Sequence, residues 1–435
     1  MSDSRRLSMS MTGPHKVCVI GGGFGGLYTA LKLESKSKSL EKGACPIEIT
    51  LIDPKDKFVF LPLLYELAVG TASVMEVAPR YEDMLHNTDI KFIQGSVESI
   101  DTELRQVKLG GKGSEEKLSF DQLVIACGLQ PNMNSLKGLQ NNAMSFSSVE
   151  DSYKLKIALR RLLESDLDTI HVRVLGAGYS GVEIATTIAS YFGERKQDAH
   201  ISIIDRNDCI MKTSPDFNRN TALNSLQAKG IEVIYGTCVK EITKDGLIVC
   251  PKGPGDGTGE SFLNADLIIA TLGIQQAPLL GCIGPDLLEI EPASKRLLVK
   301  ETLQSKSNSA IFALGDCSRI DGVNAPSTAQ VAIQQADIVS QNILLRSQLR
   351  EADGDVTLER FTYVPLGEML TVGAREAAIS GLGGLVEFDG PLASAARRLV
   401  YAARMPTKEQ TATAVLNQLV SMTTSVAVQA METRK

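Results

Sequence analysis

The sequence predicts an α/β fold in which one strand–turn–helix pattern occurs twice, followed by a helical C-terminal region. Residues 16–27 read KVCVIGGGFGGL, a buried strand that runs into a glycine-rich turn and the start of a helix. Residues 171–181 repeat that pattern, and residues 392–403 carry an apolar stripe with the period of a helix. Glycine turns between a strand and a helix are typical of Rossmann-like dinucleotide-binding domains. We therefore predict two such domains and a C-terminal amphipathic helical region.

The composition limits the class of protein. A chain of 435 residues has room for two or three domains, and its net charge of −6 argues against a nucleic-acid-binding surface. No two of the eight cysteines have C-x-x-C spacing, which argues against a zinc ribbon or a thioredoxin-type dithiol and favours a reducing compartment. The four histidines are scattered, so we expect no metal site. No apolar run reaches the 18 residues that a membrane-spanning helix needs.

The first glycine turn has the residues that a pyrophosphate site needs. Gly21 allows the tight turn, Gly23 lets the backbone approach a pyrophosphate, and Gly26 lets the helix pack on the strand. The pyrophosphate would lie at the helix N-terminus, where backbone N–H groups are unpaired. The next strand, 47–52, ends in Asp53, whose carboxylate can accept hydrogen bonds from an adenosine ribose. We expect a dinucleotide to bind here.

The second glycine turn repeats this arrangement. A short strand at 171–175 leads into Gly176, Gly178 and Gly181, and a helix pattern follows. The strand 201–204 then ends in Asp205, in the same place as the acid of the first copy. Two complete copies indicate an internal duplication at the scale of a domain.

A third segment is expected to belong to the first domain, although it comes late in the chain. Residues 310–316 form a short apolar strand ending in Gly-Asp, which would place Asp316 at the carboxyl end of a parallel sheet, where ligands bind in open α/β folds. A helix is predicted over 327–345. Gln330 and Gln334 are four residues apart, so they share one face of this helix.

The C-terminal region is predicted to contain basic amphipathic helices. The apolar stripe of the first consists of Leu392, Ala395, Ala396, Leu399, Val400 and Ala403. Its opposite face carries Arg397, Arg398, Tyr401 and Arg404. A second stripe runs from Ala412 to Val426, with a mostly uncharged polar face. We expect contact with an anionic membrane surface, and packing on the body of the protein or a dimer seam are the alternatives.

Several stretches are similar to those of a known enzyme family. Two glycine turns with a late Gly-Asp strand resemble the flavoproteins with two dinucleotide-binding domains. The stretches VIGGGFGGLYTA, FLPLLYELAVG, GAGYSGVEIA, IFALGDCS and PSTAQVAIQQ resemble type II NAD(P)H:quinone oxidoreductases, the alternative NADH dehydrogenases. LGEMLTVG and GPLASAARRLVYAARMP are similar to the plastid and cyanobacterial branch. The glycine motifs are shared across the whole superfamily, whereas AQVAIQQ and LGEMLTVG are typical of a much smaller group of proteins.

The resemblance implies a domain arrangement and two cofactors. An FAD-binding domain would comprise 14–145 and 290–346, and an NAD(P)H-binding domain would comprise 146–289. Residues 347–435 would form a region for membrane association or dimerisation. The implied cofactors are non-covalent FAD and, as the electron donor, NADH or NADPH.

The resemblance also implies roles for individual residues. The implied cofactor-binding residues are Gly21, Gly23, Phe24, Gly25, Gly26, Asp53, Lys55, Cys127, Gly128, Gly178, Tyr179, Ser180, Gly181, Glu183, Asp205, Arg206, Gly273, Gly315, Asp316 and Ala329. Glu183 would act beside the nicotinamide near the flavin, and Asp316 would hold the ribityl chain. Gln330 and Gln334 would contact quinone at the pyrimidine edge of the flavin. The positive end of their helix would favour negative charge on the flavin.

Two features after Asp53 have a structural and a functional interpretation. The run PKDKFVFLPLLYELAVGTAS is unusually apolar and would either line the flavin ring or form ordinary core, and its periodicity favours core. Tyr65 would be either a wall of the quinone channel or a structural residue.

The chain departs from the family pattern at several positions. It has no tryptophan, so its grip on a bilayer would be weak or lipid-specific. Cys127 stands where the family usually has threonine, and Cys317 is expected to be inert. A sulfide:quinone oxidoreductase is the nearest alternative enzyme, but it needs a cysteine pair at the flavin and Cys127 has no obvious partner in the sequence. A redox-sensing flavoprotein without turnover is the alternative from another class.

The resemblance leads to expectations about substrate and location. The quinone would be a prenylquinone, namely plastoquinone, a phylloquinone precursor or ubiquinone. We expect a peripheral membrane protein of the plastid thylakoid or plastoglobule, with the mitochondrial inner membrane or a bacterial membrane as alternatives. Residues 1–15 are rich in serine, arginine and methionine, and are either the remnant of an organellar transit segment or a disordered start.

Overall fold

The chain folds into two compact units, each built on its own parallel sheet. The structure is a computed structural model that describes residues 13–41, 44–110, 116–253, 259–283, 288–323, 325–348, 357–407 and 410–412. The first unit comprises the described residues within Met1–Phe58, Arg80–Gln130 and Gln276–Tyr363. The second unit comprises the described residues within Val59–Pro79, Pro131–Gln275 and Val364–Lys435.

The first unit is organised on a five-stranded parallel sheet. Across the sheet, its strands are Ile311–Ala313, Gln122–Ile125, His15–Ile20, Ile47–Asp53 and Lys91–Gln94. These strands are rich in β-branched residues, and Val19, Leu51, Leu123 and Val124 are fully buried among them. The late strand Ile311–Ala313 therefore joins this sheet as the sequence predicted, pairing in parallel with Gln122–Ile125.

Two long helices of the first unit, Phe24–Lys38 and Ala329–Ser347, pack against each other. Thr328 caps the second of them, since its hydroxyl accepts the N–H of Val331. The unit also contains short helices at Tyr81–Leu85, Pro278–Cys282 and Gly315–Cys317. Its other paired strands are Ser96–Asp101, Gln106–Gly110 and Lys117–Ser119, which are antiparallel, and Leu297–Val299 and Ser318–Ile320, which are parallel.

The second unit repeats the five-stranded parallel sheet. Across it, the strands are Glu232–Ile234, Ala199–Ile204, Ile170–Leu175, Leu267–Ala270 and Met144–Ser145. Its longer helices are Val149–Leu163, Tyr179–Gly193 and Asp216–Ala228, and a short helix lies at Leu139–Asn142. An antiparallel sheet consists of Thr237–Ile242, Gly246–Pro251 and Ser261–Asn264. Two short strands, Leu129–Pro131 and Ile274–Gln276, lie where the chain passes from one unit to the other.

The C-terminal part of the second unit is a small antiparallel sheet followed by a helix. The strands are Gly367–Gly373, Glu376–Gly381 and Val386–Asp389, with the single turn Leu382–Gly384 between the last two. The helix Gly390–Ala403, called the tail helix below, packs on the strand Glu376–Gly381. The second predicted amphipathic stripe lies outside the described residues, apart from Ala412.

The unit boundaries differ from the predicted domain boundaries at one important place. Residues 59–79, called the inserted segment below, were predicted in the first domain but belong to the second unit. The physical reason is apolar packing, because Tyr65 and Ala68 are buried in the core of the second unit with Ile170 and Val172. The hydroxyl of Ser152 also donates to the carbonyl oxygen of Leu64, at 3.1 Å. The inserted segment contains the helices Leu61–Leu63, Leu64–Val69 and Val74–Val77.

Further boundaries also differ. Residues 131–145 and the described residues from 364 onward group with the second unit, and the described residues of 276–289 group with the first. The predicted fold class is nevertheless confirmed, because each unit carries one strand–glycine-turn–helix copy on a parallel sheet and an amphipathic helix follows.

Candidate functional site

The first glycine turn is open to a ligand at Gly23. At Gly21 φ is +98°, and a Cβ there would lie 2.4 Å from the carbonyl oxygen of Ala126. A Cβ on Gly26 would lie 1.8 Å from the carbonyl oxygen of Gly21, so both positions exclude a side chain. Gly23 has no atom within 4 Å of its Cβ position and directly precedes the helix Phe24–Lys38. The open position therefore lies at a helix N-terminus, where backbone N–H groups favour a phosphate.

Asp53 stands beside this turn and is fixed by two backbone hydrogen bonds. Its Oδ2 accepts the N–H of Gly22 at 2.6 Å, and its Oδ1 accepts the N–H of Lys55 at 2.8 Å. Burial raises the pKa of the Asp53 carboxyl, and the two N–H groups act against that shift. The predicted acid is thus held at the carboxyl end of its strand, next to the glycine turn.

Tyr81 supports the same turn, and the sequence analysis missed it. Its hydroxyl donates to the carbonyl oxygen of Gly22 at 2.8 Å, and its ring is 2% exposed. Tyr81 comes well after the glycine motif in the chain and is not part of that motif. The apolar run before it gave no signal that a hydrogen-bonding side chain would return to the turn.

The other residues predicted to bind FAD lie in the same unit. Phe24 and Gly25 begin the helix, Lys55 is exposed, and Gly128 has a φ of +62°. Gly315 has a φ of +72°, and its N–H donates to Oε1 of Gln335 at 2.7 Å. Gln335 is buried and was not among the predicted site residues.

Asp316 lies in the turn Gly315–Cys317, just after the edge strand of the first sheet. Burial raises the pKa of its carboxyl. A small open cleft lies beside it, and Arg296, Ser327 and Gln335 are among the side chains that line it. Asp316 is therefore placed at the carboxyl edge of the sheet, as predicted.

The second unit contains a turn of the same geometry. Gly176 has a φ of +104°, Gly178 has no atom within 4 Å of its Cβ position, and a Cβ on Gly181 would lie 1.8 Å from the carbonyl oxygen of Gly176. Asp205 repeats the bonds of Asp53, because its Oδ2 accepts the N–H of Ala177 at 2.6 Å and its Oδ1 that of Asn207 at 2.7 Å. The duplication inferred from the motifs thus extends to the hydrogen bonds of the acids.

Tyr179 follows Gly178 and is bound by two side chains that the sequence analysis missed. Its hydroxyl lies 2.6 Å from Oγ of Ser214, and it also donates to the carboxylate of Glu368. Glu368 belongs to the LGEMLTVG stretch, so the narrow motif supplies a partner for the glycine helix. Ser180 and Arg206 are exposed.

Glu183 is a buried carboxyl one turn further along this helix. Its Oε1 accepts the N–H of Thr371 at 3.0 Å, and its Oε2 accepts a hydrogen bond from the hydroxyl of Tyr65. Burial raises the pKa of Glu183 to about 7, although both hydrogen bonds and the charge of Arg397 act against the shift. A carboxyl with this pKa can release or take up a proton near neutral pH.

Gln330 and Gln334 are both half-buried on the helix Ala329–Ser347. The hydroxyl of Tyr363 donates to Oε1 of Gln330 at 2.8 Å. The predicted i, i+4 pair is therefore present on the first turns of the helix, and Tyr363 is an additional partner.

Comparison with known proteins identifies the family of this chain. A sequence profile of the pyridine nucleotide-disulphide oxidoreductase family matches residues 15–336. The chain belongs to this family. Its matched region includes both glycine turns, both acids, Glu183 and the two glutamines.

Two relatives are similar over most of their length. The demethylphylloquinone reductase NdbB of Synechocystis sp. is 39% identical over 409 residues, covering 93% of this chain and 95% of that protein. The alternative NAD(P)H-ubiquinone oxidoreductase C1, chloroplastic/mitochondrial, of Arabidopsis thaliana is 35% identical over 425 residues, covering 91% and 78%. The predicted resemblance to type II enzymes of the plastid and cyanobacterial branch is thus confirmed.

The fold is shared with a solved structure. NDH2 from Plasmodium falciparum in complex with NADH matches with a TM-score of 0.79 and 18% sequence identity, covering 93% of this chain and 97% of that one. At 18% identity this similarity shows that the two proteins share a fold.

The tail helix of this family member is oriented differently from the prediction. Arg397 is 1% exposed and Tyr401 is buried, whereas Leu392 and Leu399 are 72% and 50% exposed. The basic face of the helix, which was predicted to contact an anionic membrane surface, therefore turns inward, and part of the apolar stripe turns outward. Among the described residues, no helix is both long and apolar enough to cross a membrane.

The reason for this orientation is a buried acid in the inserted segment. Nη2 of Arg397 pairs with Oε1 of Glu66, and Nη2 of Arg398 lies 2.6 Å from Oε2 of Glu66. The guanidinium of Arg397 also lies 5.1 Å from the ring centroid of Tyr401. Burial of Glu66 requires paired cations, so the arginines face the protein.

Cys127 has a thiol neighbour, so the expectation that it has none was wrong. Its interaction with the Cys317 thiol, together with burial, raises the pKa of the Cys127 thiol. Cys317 is fully buried, and its thiol donates to the carbonyl oxygen of Leu314 at 3.3 Å. The pair was missed because the two cysteines follow different strands, Gln122–Ile125 and Ile311–Ala313, that are distant in the chain.

Proposed function

We propose that this chain is an FAD-dependent NAD(P)H:quinone oxidoreductase that passes two electrons to a membrane prenylquinone without pumping protons. The observation that carries the proposal is the duplicated turn, in which each unit has an open helix N-terminus beside a fixed aspartate. Membership of the family confirms the predicted oxidoreductase class and its two cofactors. The names of the two relatives support a quinone as the acceptor.

The first unit fits FAD. We assign the pyrophosphate to the helix N-terminus at Gly23, the adenosine ribose to Asp53, and the ribityl chain to Asp316. The other residues that we assign to FAD are Gly21, Phe24, Gly25, Gly26, Lys55, Cys127, Gly128, Gly315 and Ala329. FAD, when bound, supplies two-electron transfer between a nicotinamide and a quinone.

The second unit fits a nicotinamide dinucleotide. We assign its pyrophosphate to the helix N-terminus at Gly178 and its adenosine ribose to Asp205. The other residues that we assign to it are Tyr179, Ser180, Gly181, Arg206 and Gly273. Because Asp205 can accept the 2′-hydroxyl of NADH and repels a 2′-phosphate, NADH is the preferred donor. Arg206 follows directly and offsets part of that repulsion, so NADPH is tolerated.

Three residues are assigned to catalysis. Glu183 carries an exchangeable proton on its carboxyl near neutral pH, and this proton can supply the one that is consumed when NADH reduces a quinone to a quinol. Gln330 and Gln334 orient the quinone, since a side-chain amide can donate a hydrogen bond to a quinone carbonyl.

The substrate and the exposed leucines together support membrane contact. In the second unit Leu382, Leu385, Leu392 and Leu399 are 62%, 85%, 72% and 50% exposed, within one short stretch of chain. A prenylquinone is confined to the bilayer, so its reductase needs such a surface. We propose that these leucines enter the membrane surface, and that the compartment is the plastid. A dimer seam, a mitochondrial membrane and a bacterial membrane are the alternatives.

A liposome assay tests the membrane proposal. Leu392→Ser with Leu399→Ser should weaken binding to anionic liposomes, and Ile157→Ser should not, because Ile157 is 52% exposed on a different helix. A change from dimer to monomer with unchanged liposome binding would assign the leucines to a dimer seam.

The reaction is tested by its two halves. Under anaerobic conditions NADH should bleach the flavin absorbance, and a short-chain quinone should then restore it. Bleaching by sulfide instead of NADH would favour a sulfide:quinone oxidoreductase. Nucleotide binding without bleaching would favour a redox-sensing flavoprotein.

A further inference from the structure

Tyr65 and Glu66 are neighbours in the inserted segment, and their side chains bind two different elements of the second unit. The hydroxyl of Tyr65 donates to Oε2 of Glu183, on the glycine helix Tyr179–Gly193. Glu66 pairs with Arg397 and Arg398, on the tail helix. Two adjacent residues thus connect the tail helix to the carboxyl of Glu183.

Both connections are buried. Tyr65, Glu66, Glu183 and Arg397 are between 1% and 7% exposed. Where water is excluded, a hydrogen bond or an ion pair is strong, and leaving a buried polar group without its partner costs free energy. Tyr65 and Glu66 are consecutive buried residues of the short helix Leu64–Val69, so a displacement of this helix would move both side chains.

We propose that Tyr65 is a positioning residue for Glu183, and that the ion pairs from Glu66 to the tail helix hold Tyr65 in place. The inference rests on the proposed role of Glu183. Oε1 of Glu183 accepts the N–H of Thr371, and Oε2 accepts the hydroxyl of Tyr65. Both carboxylate oxygens are therefore held by a hydrogen bond. The tail helix that carries the exposed leucines is therefore part of the support of the reacting carboxyl.

The groups that face Glu183 determine the direction of the effect. They are Tyr65, Thr371, Arg397, Glu66 and Tyr401. A hydroxyl that donates to a carboxylate stabilises its ionised form, so its removal raises the pKa. Tyr65→Phe should therefore move the titration of Glu183 upward by about one pH unit.

The titration can be measured without turnover. In the FAD-loaded, full-length enzyme, difference infrared spectra across the pH range give the protonated-carboxyl band, and Glu183→Gln identifies the band by removing it. The half-titration of this band should rise in Tyr65→Phe. Tyr191→Phe is the matched control, because Tyr191 lies on the same glycine helix and should leave the band unchanged.

A second variant tests the link to the tail helix. Arg398→Gln removes the less buried of the two cations, 19% exposed, and should shift the band upward by a smaller amount. If Arg398 acts through Tyr65, it should add nothing in the Tyr65→Phe background. Additive shifts would mean that the arginine acts independently on Glu183.

The outcomes separate the two proposals. An unchanged half-titration in Tyr65→Phe, with FAD retained, would overturn the positioning role and leave the proposed function intact. Full quinone turnover by Glu183→Gln would overturn the role of Glu183 in the reaction, while the band would still report whether Tyr65 positions it.

Discussion

Arg397 and Glu66 form an ion pair inside the second unit, although 331 residues separate them in the chain. Their side chains are 2% and 7% exposed. Removing two charges from water is costly, so neither is stable there without the other. The tail helix is therefore attached to the inserted segment by charge, and also by a contact between the rings of Tyr401 and Phe60, whose centroids are 5.3 Å apart.

Loss of Arg397 should destabilise the second unit. Arg397→Gln leaves Glu66 with Arg398 alone, and breaking a buried pair typically costs about 3–5 kcal/mol. Urea unfolding with saturating FAD measures the loss. Arg375→Gln is the control, because Arg375 is exposed in the turn between the first two strands of the C-terminal sheet and its loss should cost less than about 0.5 kcal/mol. Equal losses in both variants would contradict the buried-pair interpretation.

The stability should depend on pH through Glu183. Its pKa is about 7 in the folded protein, against 4.5 for an ordinary glutamate, so the folded state binds this proton more tightly. The contribution is fully present below pH 4.5 and is lost as the pH rises through 7. Glu183→Gln should flatten the decline in unfolding free energy over this range, and the exposed Glu150→Gln should not. An unchanged decline in Glu183→Gln would assign it to other groups.

The sequence predicted the parts of the site that are local in the chain. The turn at Gly21 and the helix after it are adjacent residues, and the strand ending in Asp53 is the next element, so a pattern of residue types is sufficient. The same holds for Gly176 and Asp205. The i, i+4 spacing of Gln330 and Gln334 likewise follows from helix geometry alone.

Contacts between distant segments could not be predicted in this way. A helical stripe shows that two faces differ, but which face is buried depends on what lies opposite, here Glu66. The hydrogen bond from Tyr65 to Glu183 and the neighbouring thiols of Cys127 and Cys317 arise the same way. Each joins residues that the tertiary fold brings together.

The electron donor should be discriminated at Arg206. Its guanidinium is exposed beside Asp205 and can pair with the 2′-phosphate of NADPH. An exposed pair contributes up to about 1 kcal/mol, so Arg206→Ala should lower kcat/KM for NADPH about fivefold and change that for NADH less. Lys252→Ala removes another exposed cation of the same unit as a control. Equal effects on both donors would rule out a phosphate contact at Arg206.

The thiol pair should not be required for turnover. The proposed electron path runs from nicotinamide to flavin to quinone and uses no cysteine. Cys127→Ser and Cys317→Ser keep a hydrogen-bonding hydroxyl, so NADH:quinone turnover should stay within several-fold of the wild type. Dithiothreitol should also leave the rate unchanged. Loss of activity with FAD still bound would indicate a chemical role for the neighbouring thiols. It would then favour the alternative hypothesis of a sulfide:quinone oxidoreductase.

Gln330 should affect only the quinone half of the reaction. A neutral hydrogen bond contributes roughly 0.5–1.5 kcal/mol, so Gln330→Leu should raise the apparent KM for quinone about two- to tenfold. Gln334→Leu should show a smaller rise. Stopped-flow traces should show flavin reduction by NADH unchanged and reoxidation by quinone slowed. Tyr363→Phe is the matched control. It removes the hydroxyl that donates a hydrogen bond to Oε1 of Gln330 at 2.8 Å, and it keeps the Gln330 amide. If Tyr363→Phe reproduces the defect, or if both half-reactions fall together with loss of FAD, Gln330 is a structural residue at the start of its helix.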